Sequence, residues 1–471
     1  MPDIKTNGYD VIIIGAGPAG IFTALELTQL SPGASIAMLD IGRAIAKRRC
    51  PARETGKCIH CNPCAIVHGW AGAGAFSDGK LSLSDEVGGH ITEYIPHDQA
   101  MALIHHADEM YLRFGAPQTV HGLNTPKVEE IAYEASRHNI RLVPCPVRHL
   151  GTENAAKVLG AMHDELINKI DFFERTIAQD LLVEDGRVTG VTVTDHGGAI
   201  RTLKAPRIVA APGRGGAAWL ARQVQRLGLG TKNNEVDIGV RVEVPNSIMD
   251  HLTQHLYEAK LVYYSDTYEN KVRTFCMNPG GVVSQEHYEG GLAVVNGHSY
   301  ADPALRTMNT NFAVLVSTSF TEPFNQPIEY GRYIAQLANM LTGGPIMVQR
   351  LGDLIHGHRT NPDRLSKSTT LPTLATAVPG DLSFAMPSRH LTCIIEALKA
   401  FDHLAPGLFD RNTLLYGVEV KFYSSKVRVN NRFETEIPGL YTIGDGAGIT
   451  RGLMQASCTG IAVARDIAEK L

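Results

Sequence analysis

The run Tyr9-Asp10-Val11-Ile12-Ile13-Ile14 leads without a gap into Gly15-Ala16-Gly17-Pro18-Ala19-Gly20, and a helical pattern follows from Ile21 to Leu30. A β-branched apolar run suits a strand buried on both faces of a parallel sheet. Each glycine then has its own task. Gly15 turns the chain off the strand, Gly17 lets a pyrophosphate approach the backbone, and Gly20 lets the helix pack closely on the strand. Pro18 and Ala19 lie inside this loop, where the positive end of the helix meets phosphate. Ser35-Ile36-Ala37-Met38-Leu39-Asp40 reads as a second strand, and Asp40 follows Gly20 by twenty residues. That is the spacing of an acid that hydrogen-bonds a ribose hydroxyl. Strand, loop, helix, strand and acid in this order specify a Rossmann-type dinucleotide site, but they do not choose between FAD and NAD.

The other end of the chain bears on that choice. Pro438-Gly439-Leu440-Tyr441-Thr442-Ile443-Gly444-Asp445-Gly446-Ala447-Gly448 is a turn, a short apolar strand and a glycine-rich loop. A helical pattern runs from about Gly452 to Leu471, with Ala456, Ser457, Gly460 and Ala464 permitting close packing. In these features the chain resembles the glutathione-reductase-like superfamily of FAD proteins. The resemblance implies that Gly444 and Asp445 bind the ribityl chain or pyrophosphate. It further implies that amides around Leu453 and Met454 face the flavin, where a helix N-terminus stabilises developing negative charge. Residues 171–195 and 199–204 alternate like an antiparallel meander, with turns at Asp185-Gly186 and Gly197-Gly198. Arg207 to Gly213 resembles the superfamily's later strand, ending beside FAD at Gly213.

A narrower resemblance covers residues 50–82. Cys50-Pro51, Cys58-Ile59-His60-Cys61-Asn62-Pro63-Cys64 and Gly69-Trp70-Ala71-Gly72-Ala73-Gly74-Ala75-Phe76-Ser77-Asp78-Gly79-Lys80-Leu81 are similar to a poorly characterised group of prokaryotic FAD-dependent dehydrogenases. Arg148 to Thr152 and Phe275-Cys276-Met277 through Gly280-Gly281 add to the likeness, though Asn278 stands where members often carry a second cysteine. The resemblance makes Gly72, Gly74 and Ser77 flavin-site residues.

Four of the eight cysteines fall between Cys50 and Cys64. Cys58, Cys61 and Cys64 have the spacing of a ferredoxin-like run, with Cys50 as a fourth candidate ligand. His60 and His68 extend the set toward zinc. An iron–sulfur cluster, zinc, a redox-active disulfide and inert thiols all remain open.

The implied architecture is α/β: a Rossmann-like FAD-binding domain with a parallel sheet and β-meander, plus an inserted α+β substrate domain. The first comprises 1–90, 140–215 and 415–471; the second comprises 91–139 and 216–414. Within the second, strands are expected at 237–244, 261–264 and 292–296, and helices at 327–341 and 388–404. Thr152 is the expected N-cap of a helix after His149. His356, His358, Arg359, Lys367 and Ser368 form either an anion-binding wall or a solvated loop. Arg389 and His390 read as exposed charge.

Forty-four basic residues mix with 48 acidic ones, for a net charge of −4. That offers no footprint for nucleic acid and no polybasic arm for a membrane. The N-terminus does not read as a signal peptide, so a cytoplasmic protein is expected. No second Gly-x-Gly-x-x-Gly follows a strand. Electrons must therefore come from a small-molecule substrate, from transiently bound NAD(P)H or from a protein donor. The expected activity is hydride transfer at flavin N5, with a flavin monooxygenase and a cysteine-based redox sensor or electron carrier as alternatives.

Overall fold

The computed structural model describes all residues except 1–4, 6–7, 52–58, 60, 289–290, 301, 322, 325 and 423–424. It divides into two compact units, one of Met1–Gln118, Arg148–Asn234 and Tyr423–Leu471, the other of Thr119–Val147 and Glu235–Phe422.

The first unit is built on a five-stranded parallel sheet. Val11–Ile14 lies at its centre, flanked by Ile208–Ala210 and Ile36–Leu39, with Leu440–Thr442 and Asp171–Phe173 at the edges. All four residues of Val11–Ile14 are buried, as both faces of a parallel sheet require. The helices Pro18–Leu30 and Leu453–Glu469 pack together. Gly460 makes this possible, because a Cβ there would stand 2.2 Å from the Ala19 carbonyl oxygen. The meander is a three-stranded sheet of Ile177–Glu184, Arg187–Thr194 and Ile200–Lys204. Its first turn has Asp185 and Gly186 at positive φ, as a tight hairpin demands.

Three expectations are corrected in this unit. Asp171–Phe173 belongs to the parallel sheet rather than the meander, where Phe172 and Phe173 are buried. Gly151, at φ 84, is the N-cap of the helix Thr152–Leu166, and Thr152 is its first residue. Residues 91–118 and 216–234, expected in the second domain, fall in this unit; the helix His97–Arg113 packs here on Leu453–Glu469. His149 is buried at the end of the strand Val147–His149.

The second unit carries an eight-stranded mixed sheet, mostly antiparallel. Its strand Val236–Pro245 is buried on both faces, which differ in kind. Val236, Ile238, Val240, Val242 and Val244 join an apolar core that also takes in the helix Ser388–Phe401 and part of Pro327–Thr342. Asp237, Arg241 and Glu243 are buried on the other side. Residues 140–147 and 415–422, expected in the first domain, fall in this unit. The strand expected at 292–296 is present as Ala293–His298, which pairs antiparallel with Val282–His287 in a separate two-stranded sheet.

Candidate functional site

The geometry of the glycine loop suits the three tasks expected of it. Gly15 has φ 107, and a Cβ on it would stand 2.1 Å from the Ala211 carbonyl oxygen. On Gly20 a Cβ would meet the Gly15 carbonyl oxygen at 2.0 Å and Ile13 Cγ2 at 3.1 Å. Gly17 faces open space, with nothing within 4 Å of where its Cβ would be. Gly17 is also the N-cap of Pro18–Leu30 and supplies no side-chain cap. Pro18 has no N–H to satisfy at the first helical position. The amides of the first turn thus lie beside an open approach, which suits an anion.

Distant segments converge on this loop. Gly72, at φ 53, would place a Cβ 3.4 Å from Gly17 Cα. Gly74 sits so close to Leu453 that a Cβ would lie 2.8 Å from its Cδ2, and 3.5 Å from Pro18 Cγ. Gly446 presses on Gly213, and Gly444 reaches Ala19, whose Cβ would be 3.2 Å from an added one. Ser77 staples its own turn, donating to the Gly74 carbonyl oxygen at 3.0 Å and accepting from the Gly79 amide at 3.2 Å. Met454 is buried one residue after Leu453, which opens the last helix behind a Gly452 that gives no side-chain cap.

Asp40 does more than its spacing revealed. Oδ2 accepts the Ala16 amide at 3.0 Å, and Oδ1 accepts the amides of Gly42 and Gly69, each at 2.7 Å. The carboxylate thus ties the glycine loop to the Gly69–Phe76 segment. A carboxylate has about four lone-pair sites, which leaves room for one ribose hydroxyl. Asp445 accepts from the Thr450 hydroxyl at 2.7 Å and from the Gly452 amide, with Arg214 Nε 3.8 Å away. Burial raises its carboxyl above the ordinary aspartate value, against the pull of Arg214. All fourteen residues expected around the cofactor therefore lie in the first unit. The open face at Gly17, the uncapped helix starts and the converging glycines fit a dinucleotide such as FAD.

Arg48 and Trp70 were not legible in the sequence. Arg48 lies in the basic stretch Arg43 to Arg49, where nothing marks one arginine as buried. Trp70 is buried and its indole N–H donates to the Leu159 carbonyl oxygen at 2.8 Å.

The cysteine expectation is only partly visible. Cys50, Cys61 and Cys64 are half-buried free thiols; Cys58 and His60 lie outside the described residues. Among the described residues no three His, Cys, Asp or Glu side chains are grouped to hold a metal. The ring of His68 packs instead against Gly215, where an added Cβ would be 2.5 Å away.

In the second unit the tract from Arg350 is internally paired. Arg350 and Arg364 both donate to Asp353, and so does the Thr360 hydroxyl. Burial opposes the charge of Asp353, yet these bonds hold it at about 2. Lys367 pairs with Asp363, and His356 and His358 are exposed. Arg389 is exposed over the Tyr268 ring. His390 is not exposed as expected: it is buried, with Nε2 3.0 Å from the Thr318 hydroxyl.

Comparison with known proteins agrees with the cofactor. Residues 77–234 match the family described as FAD binding domain, and residues 235–422 match FAD-dependent protein, C-terminal domain-like. An uncharacterized protein of Clostridium beijerinckii is 27% identical over 487 residues, covering 98% of this chain and 80% of its own length. Among solved structures, Mycobacterium smegmatis Sdh1 in complex with UQ1 is similar at TM-score 0.44 and 12% identity, over 98% of this chain and 68% of that one. The glycerol-3-phosphate dehydrogenase from Bacillus halodurans complexed with FAD is similar at TM-score 0.39 and 11% identity, over 99% and 66%. Likenesses this distant assign no substrate. The two matched domains rest on FAD, whose chemistry is electron and hydride transfer, and they make this chain an FAD-dependent flavoprotein of the oxidoreductase class.

Proposed function

We propose that the protein transfers a hydride between flavin N5 and a small-molecule substrate. The observation that supports this most is the convergence of Gly17, Gly72, Gly74, Gly213, Gly444 and Leu453 on one cradle in the first unit. In this reading the first-turn amides after Gly17 hold the pyrophosphate, and Asp40 holds the adenosine ribose. Asp445 takes the ribityl or pyrophosphate end, and the amides at Leu453 and Met454 face the pyrimidine edge. When bound, FAD supplies the hydride acceptor or donor. The chain's part is to orient the ring and to place a helix N-terminus where reduction adds negative charge. NAD(P)H bound transiently, a protein donor or the substrate itself delivers the electrons, in a cytoplasmic setting.

The test begins with purified protein, which should be yellow and release FAD rather than FMN on denaturation. Asp40→Ala should weaken FAD by about 1–3 kcal/mol, through loss of charged hydrogen bonds. Full affinity in that variant would remove Asp40 from the site. Anaerobic reduction with NADH, NADPH, thiols and ferredoxin then identifies the donor class. Rapid oxygen consumption tied to substrate turnover would instead favour a monooxygenase.

A further inference from the structure

Arg48 is buried, although no motif names it. Its guanidinium donates to three backbone carbonyls: Ala65 at 3.0 Å, Ile66 at 2.7 Å, and Trp70. It also lies over the Phe76 ring, 4.8 Å from the centroid. Gly69 grants it passage, since a Cβ there would stand 3.0 Å from Arg48 Cδ. One side chain thereby holds both ends of the segment from Ala65 to Phe76. The same segment is fastened from the front by Asp40 on the Gly69 amide and by the Ala71 amide on the Ala16 carbonyl oxygen at 2.6 Å. Between these two fastenings it presents Gly72 to Gly17 and Gly74 to Leu453. Burial pushes the guanidinium down to about 10, while Asp40 and Cys64 push the other way, so it keeps its charge at neutral pH.

The cysteines adjoin the same fastening. Cys64 directly precedes Ala65, and Cys61 stands three residues earlier, both half-buried. The amides of Val67 and His68 donate to the Cys64 carbonyl oxygen at 3.2 and 3.0 Å. A fork of donors fixed on several acceptors is a task for guanidinium and not for ammonium.

We propose that Arg48 is a positioning residue of the FAD site: it holds the Ala65–Phe76 segment closed over the glycine loop, and through it links FAD occupancy to the accessibility of Cys61 and Cys64. This rests on the reading that the cradle seats FAD. A ligand that requires the closed segment stabilises the closed form, and the thiols at its margin report on that closure.

The full-length protein, stripped of FAD, is titrated back with FAD as wild type, Arg48→Lys and Arg48→Met. Labelling of Cys61 and Cys64 by N-ethylmaleimide is followed by mass spectrometry with and without FAD. In the wild type, FAD should slow labelling about tenfold, the scale of ordinary site-to-site coupling. Arg48→Lys should fold, weaken FAD by a similar factor, and label at one rate whether or not FAD is saturating. Loss of that protection is a change that a merely structural arginine would not produce. If Arg48→Met fails to fold, Arg48→Lys carries the test, because it keeps the charge and loses the fork. FAD-independent labelling in the wild type would overturn the proposal, as would undiminished FAD affinity in Arg48→Lys. Unfolding of both variants would also overturn it, by making Arg48 a residue of the fold alone. A wild type that takes up no FAD would instead defeat the FAD reading itself.

Discussion

The two units use buried polarity in opposite ways. In the first, the central strand Val11–Ile14 is wholly apolar, and the chemistry sits past its end in backbone amides, glycines and Asp40. In the second, the strand Val236–Pro245 buries charge along its length. Arg241 and Glu419 are both fully buried there and joined by two bonds, at 2.8 and 3.0 Å. Asn311 and the Cys276 carbonyl oxygen take the remaining Arg241 nitrogen, and Lys421 completes Glu419. Burial works against both charges, but each partner holds the other ionised. A backbone site tolerates many side chains around it, provided the glycines remain. A side-chain network tolerates almost none, because removing one member strands another in a dry interior.

The largest test of this contrast is Arg241→Met. It takes from buried Glu419 its two-bonded partner, leaving Lys421 alone against it, and should cost about 3–5 kcal/mol in denaturant unfolding. FAD content per folded molecule should stay unchanged, and a loss below about 1 kcal/mol would show the network to be dispensable.

Acid should find the second unit next. His390 is pushed down to about 4, first by burial and then by Arg389. An unfolded chain takes up that proton near 6.5, whereas the folded one waits until about 4. Stability is therefore full above pH 6.5 and falls as the pH drops toward 4, by about 3 kcal/mol for a shift of this size. Unfolding curves across that window check it, and His390→Gln should flatten the slope.

The glycines give the smaller effects and divide by role. Gly20→Ala forces a Cβ against the Gly15 carbonyl oxygen and should destabilise the protein by about 1–3 kcal/mol, as overpacking does. Gly17→Ala meets nothing and sits at φ −80. Its stability should stay within about 0.5 kcal/mol of wild type, while FAD binding weakens because the methyl occupies the approach to the helix amides. Equal stability losses in the two variants would erase the distinction between a packing glycine and a ligand glycine.

The same contrast explains what the sequence disclosed. A backbone site leaves a pattern, since only glycine fits Gly15 and Gly20, and their spacing to Asp40 is set by one strand-helix-strand unit. The cradle was legible for that reason. The threefold engagement of Asp40 was not, because Gly69 approaches from a segment with no fixed spacing to it. Arg48 was hidden among three neighbouring basic residues, Arg43, Lys47 and Arg49. In the second unit, Asp237, Arg241 and Glu243 fall on one face of the strand expected at 237–244, by the usual alternation. Their partners lie far along the chain, and no local pattern announces that a polar face is covered. His390 escaped likewise, since the turn after Pro387 looks like a surface position until the sheet is in place.

The order of the parallel sheet also sets a timetable. Val11–Ile14 pairs with Ile208–Ala210, which pairs in turn with Leu440–Thr442. During synthesis Val11–Ile14 waits for one neighbour until Ile208–Ala210 has been made, and that neighbour waits in turn for Leu440–Thr442. The second unit, whose last residue is Phe422, is complete before the closing strand emerges. The nucleotide loop is thus translated well before the sheet beneath it closes. Such long-range pairing is slow and leaves strand edges open meanwhile. Until Leu440–Thr442 has emerged, the strand Ile208–Ala210 keeps one edge unpaired.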